Sequence, residues 1–518
     1  MRFGNGQFSV SLLLLWSVLI VGCASTPDYP DKAELRFLTA DSQAPLSQYA
    51  SKLQHLYQGQ SGVQLLGDPL DAMVARLLLI SQAESSIDLQ YYIYRGDDTG
   101  ALIALALMEA ADRGVRVRIL LDDLATTSKD KGLVALAKHP NIQVRSFNPN
   151  PSRHFNNLGM LFNFPRLNYR MHNKSLTADN QFSIVGGRNI GNEYFAADET
   201  LEFGDLDLWL TGPVVTKVSA SFDDYWNAPH VQPISALSDI HVSEEQLAAF
   251  ARDIKKARRD MASHPYLSRL INSRMLAILT ESHLENDAPG EFYQWYWGVA
   301  ELWSDPPLKQ AMSVENHWVV AELWQAIQAV ESELLIISPY FVPTASGTEL
   351  LTGLSRRGVK VIVVTNSLAA TDVLAVHAGY QNYRQQLLEA GVTLYEIKPD
   401  LLESDKSLTG SSKSSLHAKT VIFDRQKLFV GSFNFDPRSA LLNTEMGVMV
   451  EQPQLAGRLS KEIEQRLPTQ AYELNLEQGT LIWLDRGSGR SLDSEPGAGW
   501  WQRLLVELLS WLPIESQL

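Results

Sequence analysis

The sequence predicts an α/β protein built from two duplicated halves that face each other across a shared cleft. Strand-like segments alternate with helical segments in both halves, which is the pattern of layered α/β domains. An Arg-Gly-Val sequence recurs at an offset of 244 residues, and a histidine motif and the asparagine behind it recur at 245. Three landmarks in nearly one register indicate a tandem duplication. The chain of 518 residues is also longer than a domain with a single hydrophobic core usually is.

The two halves, residues 62–231 and 314–455, carry the same order of predicted elements. In the first half these are a helix at 71–83, a strand at 86–94, a helix at 100–112, and strands at 113–123 and 142–147. In the second half they are a helix at 318–330, a strand at 333–341, a helix at 348–355, a strand at 357–365, a helix at 372–390 and a strand at 392–397. Each half alone would be a small domain, and together they can form a pair related by a pseudo-twofold axis.

The first residues predict export and attachment to a membrane. An apolar run at 12–21 is shorter than a membrane-spanning helix and leads into the sequence IVGC, ending at Cys23, before a polar segment with two prolines. This arrangement resembles the lipobox of bacterial lipoproteins. Residues 1–22 are therefore predicted to be a signal peptide, and Cys23 the lipidated mature N-terminus. Cys23 is the only cysteine, which excludes disulfides within the chain.

The alternative for this segment is an uncleaved anchor with a buried free thiol, and it too holds the chain at a membrane. Lipoprotein sorting reads the residue after the cysteine, and Ala24 is not the aspartate associated with retention at the inner membrane. A bacterial membrane lipoprotein that faces the periplasm, at the outer rather than the inner membrane, is therefore predicted. Residues 23–61 would form a polar tether.

Two further segments lie outside the repeats. The inter-lobe insert, 232–313, contains a predicted amphipathic helix at 243–259, whose basic end fits either anionic lipid head groups or a solvated helix end. Its aromatic run at 292–297 is predicted to be a buried strand. The C-terminal extension, 456–518, ends in a tryptophan-rich amphipathic helix at 500–512. That helix fits either an interfacial membrane helix or a terminal helix docked on the body.

Each half carries one H-x-K-x-x-x-x-D motif. Its members are His172, Lys174 and Asp179 in the first half and His417, Lys419 and Asp424 in the second. Side chains two residues apart in a strand point to the same face, so each histidine is predicted to project beside its lysine. The aspartates, five residues beyond, are predicted to support the motif structurally. One match to the motif is weak evidence for a catalytic site. Two matches at the same offset as the duplication are strong evidence, because unrelated structural histidines would not share that offset.

These side chains suit the chemistry of a phosphodiester. A lysine ammonium can neutralise a non-bridging oxygen while an imidazole attacks phosphorus or moves a proton. The asparagine 17 residues after each histidine can donate hydrogen bonds to those oxygens, and a small residue two positions earlier lets the backbone approach the anion. The substrate-binding candidates are Gly187 and Asn189 in the first half and Ser432 and Asn434 in the second.

A nucleophilic histidine must be neutral with its attacking nitrogen free, so a carboxylate should hold the other nitrogen. Glu445 is the predicted partner of His417, and Asp205 that of His172, with Asp207 as an alternative. Lysines and amides can supply the charge stabilisation that a divalent cation would otherwise give. Because the sequence also lacks an obvious His/Asp metal-binding cluster, no metal and no other cofactor is predicted.

These motifs make the chain resemble the phospholipase D superfamily, and more closely the bacterial cardiolipin synthases of the C type. The likeness covers nearly the whole chain after the tether, with matching stretches at 170–175, 185–191, 365–370, 376–380 and 431–439. It implies two α/β/α sandwich lobes with the active site at their interface and a phosphatidyl-histidine intermediate. It also implies transfer of the phosphatidyl group to phosphatidylglycerol, giving cardiolipin, with phosphatidylglycerol or phosphatidylethanolamine as donor. By the same resemblance His172 is the nucleophile and His417 the acid and base.

Three other functions share parts of this signature. A phospholipase D hydrolase would use the same residues with water as acceptor and release phosphatidic acid. A nuclease or general phosphodiesterase would share the fold, and a non-catalytic lipid-binding lipoprotein would not need two histidines. The formal net charge of −15 is opposite in sign to the basic footprint of nucleic-acid-binding proteins. Phospholipids and a membrane surface are therefore the expected partners, nucleic acid is not, and no accessory protein is identified.

Overall fold

The computed structural model describes residues 32–39, 41–124, 130–150, 164–198, 202–237, 263–277, 295–309, 318–399 and 414–518, with isolated positions between 243 and 260. The predicted signal peptide and Cys23 lie outside these residues, as does most of the predicted helix at 243–259. Within the described ranges, no helix is both long enough and apolar enough to cross a bilayer.

The first lobe is built from short strands and amphipathic helices that follow the predicted order. Its strands are β1 (Ser61–Leu66), β2 (Ser86–Tyr91), β3 (Arg116–Asp122), β4 (Ile142–Phe147), β5 (Ser175–Ala178), β6 (Phe182–Gly186), β7 (Glu202–Gly204), β8 (Asp207–Thr211) and β9 (Val231–Pro233). Its helices are α1 (Pro45–Gln54), α2 (Pro69–Gln82), α3 (Asp98–Asp112), α4 (Asp130–Leu136), α5 (Pro213–Asn227) and α6 (Pro265–Ile271).

The second lobe repeats this plan and adds three strands at its outer edge. Its strands are β10 (Tyr296–Ser304), β11 (Glu333–Ile337), β12 (Lys360–Asn366), β13 (Thr393–Ile397), β14 (Ser414–Leu416), β15 (Thr420–Phe423), β16 (Lys427–Gly431), β17 (Met446–Glu451), β18 (Ala471–Glu477), β19 (Thr480–Asp485) and β20 (Arg490–Leu492). Its helices are α7 (Val319–Gln328), α8 (Thr344–Arg356), α9 (Leu374–Gln381), α10 (Arg384–Glu389), α11 (Pro437–Leu441), α12 (Pro453–Gln470) and α13 (Trp500–Ser510).

The sheet pairing shows that the halves are duplicates. In the first lobe β2, β3 and β4 pair in parallel, and β5, β6 and β8 continue the sheet antiparallel. In the second lobe β11, β12 and β13 pair in parallel, and β15, β16 and β17 continue antiparallel. The two sheets join where β1 pairs with β10, so both lobes share one sheet across the seam. The predicted two-lobed α/β architecture is confirmed.

Helices cover both faces of this sheet, which makes each lobe an α/β/α sandwich. On one face the apolar sides of α2 and α3 pack on the first lobe, and those of α7 and α8 pack on the second. On the other face α5 and α12 share a single core across the seam, which includes Val63, Leu208, Leu335 and Val448. Separating the lobes would expose this core, so the seam is part of the folded unit.

The recurring Arg-Gly-Val marks the same turn in both lobes. Gly114 follows α3 with φ of 98°, and Gly358 follows α8 with φ of 90°. Glycine adopts this left-handed conformation without the steric cost that a Cβ brings, and it commonly ends helices. The repeat therefore encodes the turn from each helix into the next parallel strand.

Some predicted boundaries differ from the observed ones. The helix predicted at 372–390 is two helices, α9 and α10, divided by a turn at Asn382 and Tyr383. β10 comes from the segment predicted to be an insert and lies between β1 and β17 in the sheet. The predicted second lobe ends at 455, inside α12, whose residues Leu459 and Ile463 lie in the shared core.

Part of the predicted tether packs against the first lobe. The Leu35 N–H donates to Asn227 Oδ1 over 3.1 Å, and the Phe37 N–H donates to Asp223 Oδ2 over 2.7 Å. Both acceptors belong to α5, so residues near 32–39 follow that helix. Leu35 also packs beside a buried cluster that includes Phe222 and Trp226, so this part of the predicted tether belongs to the folded lobe.

Candidate active site

The two histidine–lysine triplets meet at the seam. Residues 172–174 directly precede β5, and residues 417–419 lie between β14 and β15. The His172 N–H donates to Thr444 O over 2.9 Å, and the His417 N–H donates to Gly204 O over 2.7 Å. The sequence predicted that the triplets lie in strands, but they are extended connectors next to strands. Their backbone bonds cross the seam. Each triplet is held in place by the opposite lobe.

The carboxylate beside each histidine also comes from the opposite lobe. His172 Nδ1 lies 2.9 Å from Glu445 Oε2, and His417 Nδ1 lies 2.6 Å from Asp205 Oδ2. The predicted partners, which paired each histidine with an acid of its own lobe, are therefore wrong. Thr444, which precedes Glu445, pairs with the backbone beside His172, and Gly204, which precedes Asp205, pairs with the backbone beside His417. These backbone contacts place each acid next to the histidine of the opposite lobe.

Asp207, the alternative partner of His172, has a different role. Its carboxylate accepts a hydrogen bond from Arg76 Nη2 over 2.8 Å and from Arg188 Nη1 over 3.2 Å. All three side chains are fully buried. Asp207 is thus committed to a structural ion cluster that ties β8 to α2 and to the loop after β6.

The two small residues of the motif place the carboxylates. A Cβ at Gly187 would lie 2.1 Å from Asp205 Oδ1, so a larger residue would displace that acid. At the matching position in the second lobe, Ser432 Oγ donates to Glu445 Oε2. Both positions therefore act on the acid that faces a histidine, and their direct contact with a bound anion stays a prediction.

The two lysines are buried beside the histidines of their own triplets. Lys174 and Lys419 are each 1% exposed, and each ammonium donates to the carbonyl of its own triplet's histidine. Neither forms an ion pair with a carboxylate within the described ranges. A buried ammonium without a paired carboxylate favours an anionic ligand, because that ligand would offset the cost of removing the charge from water.

Both histidines are neutral at neutral pH, and both acids are ionised. Burial lowers the pKa of His172 to about 4, outweighing the opposing effect of Glu445. Burial and Lys419 lower the pKa of His417. Although burial opposes ionisation, His417 and Lys419 lower the pKa of Asp205 to about 2, and His172 and Lys174 lower that of Glu445. With Nδ1–H donated to a carboxylate, each ring keeps its Nε2 lone pair for chemistry.

Anion binding should weaken as pH rises through the lysine pKa values. Burial lowers the pKa of Lys174 to about 7 and that of Lys419 to about 8. Each ammonium is charged below its pKa and neutral above it, so affinity is highest below pH 7. Sulfate stays a dianion in this range. We expect its dissociation constant, measured by titration calorimetry, to rise roughly tenfold or more between about pH 6.5 and 8.5. Lys174→Met should flatten this profile, and a flat wild-type profile would contradict the assignment.

The predicted asparagines line the same site in different ways. Asn189 Nδ2 donates to the Tyr194 hydroxyl over 3.0 Å, and Asn189 Oδ1 accepts from the Ile93 N–H. The buried Asn434 Oδ1 has no partner among the described residues. Phosphate contact by the N–H groups of either amide stays a prediction.

Two tyrosines pack their rings against the histidines. The ring centroids of Tyr92 and His172 are 5.1 Å apart, and those of Tyr194 and His417 are 5.2 Å apart, both edge to face. Each tyrosine fixes the plane of one imidazole. Tyr194 was not singled out in the sequence, and its only signal was its place five residues after Asn189.

The motif aspartates support strands, as predicted. The Asp179 carboxylate accepts from the backbone N–H groups of Glu84, Ser85 and Ser86 at 2.8 to 2.9 Å. Asp424 accepts equivalent bonds from residues 331–333. Each aspartate therefore fixes the turn that leads into β2 or β11, on which the parallel part of each sheet depends.

Asp179→Ala should lower stability and leave the chemistry intact. The change leaves three N–H groups without their charged acceptor, and Asp179 is fully buried. We expect the free energy of unfolding to fall by about 3 kcal/mol, seen as a lower midpoint in urea unfolding. Below that transition, turnover per folded molecule should stay within about twofold of wild type. Lost turnover with unchanged unfolding would instead give Asp179 a direct role in the site.

Comparisons with known proteins show the family to which these two lobes belong. The chain matches the family model described as cardiolipin synthase, PLD-like domain, at residues 77–226 and 323–467, one segment in each lobe. It is 42% identical over 474 residues to cardiolipin synthase C of Escherichia coli, covering 89% of this chain and 96% of the relative. It is 25% identical over 442 residues to the major cardiolipin synthase of Bacillus subtilis, covering 84% and 76%.

A solved structure shows the same fold at low identity. Phosphatidylserine synthase of Haemophilus influenzae superposes with a TM-score of 0.55 at 13% identity, over 91% of this chain and 100% of that one. The family model covers more than half of the present chain, and its two segments contain both histidine motifs. The chain belongs to the cardiolipin synthase family of phospholipase D-like phosphatidyltransferases.

Proposed function

We propose that the protein makes cardiolipin by transferring a phosphatidyl group to the head group of phosphatidylglycerol. Phosphatidylglycerol or phosphatidylethanolamine serves as the donor. One observation carries this proposal: two buried lysines without paired carboxylates lie beside two neutral histidines, and each histidine is held by a carboxylate of the other lobe. This arrangement fits a phosphodiester in two-step transfer, and the family relationship supports a phospholipid as its source.

In the first step His172 acts as the nucleophile. Its Nε2 lone pair attacks phosphorus, and the bond from phosphorus to the donor's head-group oxygen breaks. His417, protonated on Nε2, gives its proton to that oxygen, so glycerol leaves from phosphatidylglycerol or ethanolamine from phosphatidylethanolamine. The incoming phosphodiester brings negative charge beside His417 and thereby favours the protonated form that the acid requires. Asp205 stabilises the resulting imidazolium.

In the second step the same groups work in reverse. Neutral His417 removes the proton from a head-group hydroxyl of phosphatidylglycerol, and that oxygen attacks the phosphatidyl-histidine. The bond from phosphorus to His172 Nε2 breaks, which releases cardiolipin and restores both histidines. Lys174 and Lys419 stabilise the non-bridging oxygens in both transition states.

The membrane supplies both substrates, and the N-terminus supports a position there. Cys23 is lipidated, and the protein faces the periplasm from the outer rather than the inner membrane. This part of the proposal rests on the IVGC sequence and on Ala24. Labelling with a radioactive fatty acid, with Cys23→Ser as the control, and separation of the two membranes by density would test it.

The function is tested with purified full-length protein in phosphatidylglycerol vesicles, with and without phosphatidylethanolamine. The head group and the acyl chains carry different labels, and lipid products are separated by chromatography. Labelled cardiolipin with release of glycerol is the expected result. More cardiolipin with phosphatidylethanolamine, together with free ethanolamine, would identify the second donor. Phosphatidic acid without cardiolipin would make the protein a hydrolase, and the absence of both products would overturn the proposal.

A further inference from the structure

The C-terminal helix α13 presents a broad apolar face to solvent. Its exposed apolar residues, together with two in the turn that follows, are Trp500, Trp501, Leu504, Leu505, Leu508, Trp511 and Leu512, here called the tryptophan face. At about 100° per residue these positions lie within one arc of roughly 140°. The three tryptophans are 62%, 66% and 75% exposed, so the face contributes little to the packing of the monomer.

The opposite side of α13 fixes the helix on the second lobe. Val506 is 1% exposed and lies in a small cluster with Leu368, Ala378 and Ala498, and Leu509 packs beside it. An amphipathic helix of a globular protein usually buries its apolar arc and exposes its polar one. Here only Val506 and Leu509 attach the helix to the lobe, and the wide apolar arc faces solvent. A contiguous exposed patch of this kind marks an interaction surface.

We propose that the tryptophan face docks on the surface of a phospholipid bilayer and holds the active-site seam against the membrane. Tryptophan is the residue that prefers the boundary between acyl chains and head groups, since its ring is apolar and its N–H is polar. Leucines between tryptophans then enter the acyl region, as in helices that lie in the membrane plane. The inference deepens the proposed function, because a bilayer is where both phospholipid substrates reside.

The chain beyond α13 ties this face to the active site. The Arg438 N–H donates to Leu518 O over 2.7 Å, and Asn168 Nδ2 donates to Gln517 Oε1 over 2.8 Å. The Arg438 guanidinium in turn donates to Asn168 O across the seam. Arg438 lies four residues after Asn434, and Asn168 lies four before His172. The last two residues of the chain therefore bond to α11, which follows Asn434, and to the segment that leads to His172.

The N-terminal segment reaches the body close to the same region. The Lys32 ammonium donates to Ala228 O and Val231 O. Asn148 links the loop at 228–231 to the seam. Its N–H donates to His230 O, and its Nδ2 donates to Tyr169 O, next to Asn168. Lys32 follows Cys23 by nine residues, a length that spans at most about 30 Å when fully extended. A lipid on Cys23 would thus hold this side of the protein close to the bilayer.

The first test asks whether the face enters the bilayer. Full-length protein is added to vesicles of phosphatidylglycerol and phosphatidylethanolamine, some of whose phospholipids carry brominated acyl chains that quench tryptophan fluorescence. We expect quenching in wild type and loss of most of it in Trp500→Gln/Trp501→Gln/Trp511→Gln. The matched control, Leu56→Gln/Ile271→Gln/Val299→Gln, removes apolar residues of 79%, 57% and 59% exposure elsewhere and should be quenched like wild type. Equal quenching in both variants would overturn the proposal.

The second test separates docking from chemistry. The tryptophan variant should lose about tenfold or more of its turnover on phosphatidylglycerol in vesicles. It should keep wild-type turnover on a short-chain phosphatidylglycerol dissolved as monomers. Equal loss on both substrates would make the face part of the fold or of the site, and would overturn the inference. If wild type makes no cardiolipin from either substrate, the proposed function fails, while the quenching result still decides the docking.

A dimer seen by sedimentation in wild type and absent in the variant, without quenching, would assign the face to a second copy and overturn the bilayer as its partner.

Discussion

Alanine in place of His172 or His417 is expected to lower the rate of cardiolipin formation by roughly 10⁴-fold or more. Each histidine supplies a step for which the described site offers no substitute: a covalent attack on phosphorus, or the transfer of protons to and from the head-group oxygens. The double variant His172→Ala/His417→Ala should form cardiolipin at nearly the same rate as either single variant, because the two groups act in one sequence of steps. The measurement is conversion of labelled phosphatidylglycerol in vesicles.

An activated donor distinguishes the two roles. In a p-nitrophenyl ester of phosphatidic acid the leaving group needs no proton, so only the nucleophile is required for its release. We expect His417→Ala to release about one equivalent of p-nitrophenol and then stop, since the intermediate cannot activate its acceptor. His172→Ala should release none above background. The reverse pattern would make His417 the nucleophile and His172 the acid and base.

Much of this fold could be predicted because local sequence determines it. Parallel strands such as β11 and β12 contain continuous apolar runs, and the helix-ending turns at Gly114 and Gly358 recur with the duplication. The motif residues were recognisable because a phosphodiester site needs these chemical groups at this spacing. The supporting role of Asp179 and Asp424 followed from their place at the end of β5 and β15.

The pairing between lobes could not be read from the sequence in the same way. A register between repeats identifies equivalent residues, but it does not say whether a segment after a strand returns to its own lobe or crosses. Here Gly204 and Thr444 bond to the opposite lobe, and the acids that follow them cross too. The segment at 32–39, part of the predicted tether, was misread for a related reason, because composition does not report backbone hydrogen bonds to distant side chains. Similarly, amphipathicity alone could not tell which side of α13 faces solvent.

The crossed carboxylates yield the second large effect. Glu445→Gln and Asp205→Asn should each lower cardiolipin formation by about 10²- to 10⁴-fold, although each acid lies outside the lobe of the histidine it serves. An amide cannot stabilise an imidazolium as a carboxylate does, and it can hold the wrong tautomer of the ring. Because the shapes of the side chains match, folding should survive, and urea unfolding checks this.

The activated donor shows which histidine each acid serves. Glu445→Gln should slow the initial release of p-nitrophenol, since Glu445 contacts the nucleophile His172. Asp205→Asn should preserve that release and slow later turnovers, since Asp205 contacts His417. Glu396→Gln is the matched control: Glu396 is a fully buried acid of the second lobe that contacts Arg384 and Trp483 instead of a histidine. It should leave the release unchanged. If instead Asp205→Asn slowed the release and Glu445→Gln did not, each acid would serve the histidine of its own lobe during turnover, and the crossed geometry would not be the one that reacts.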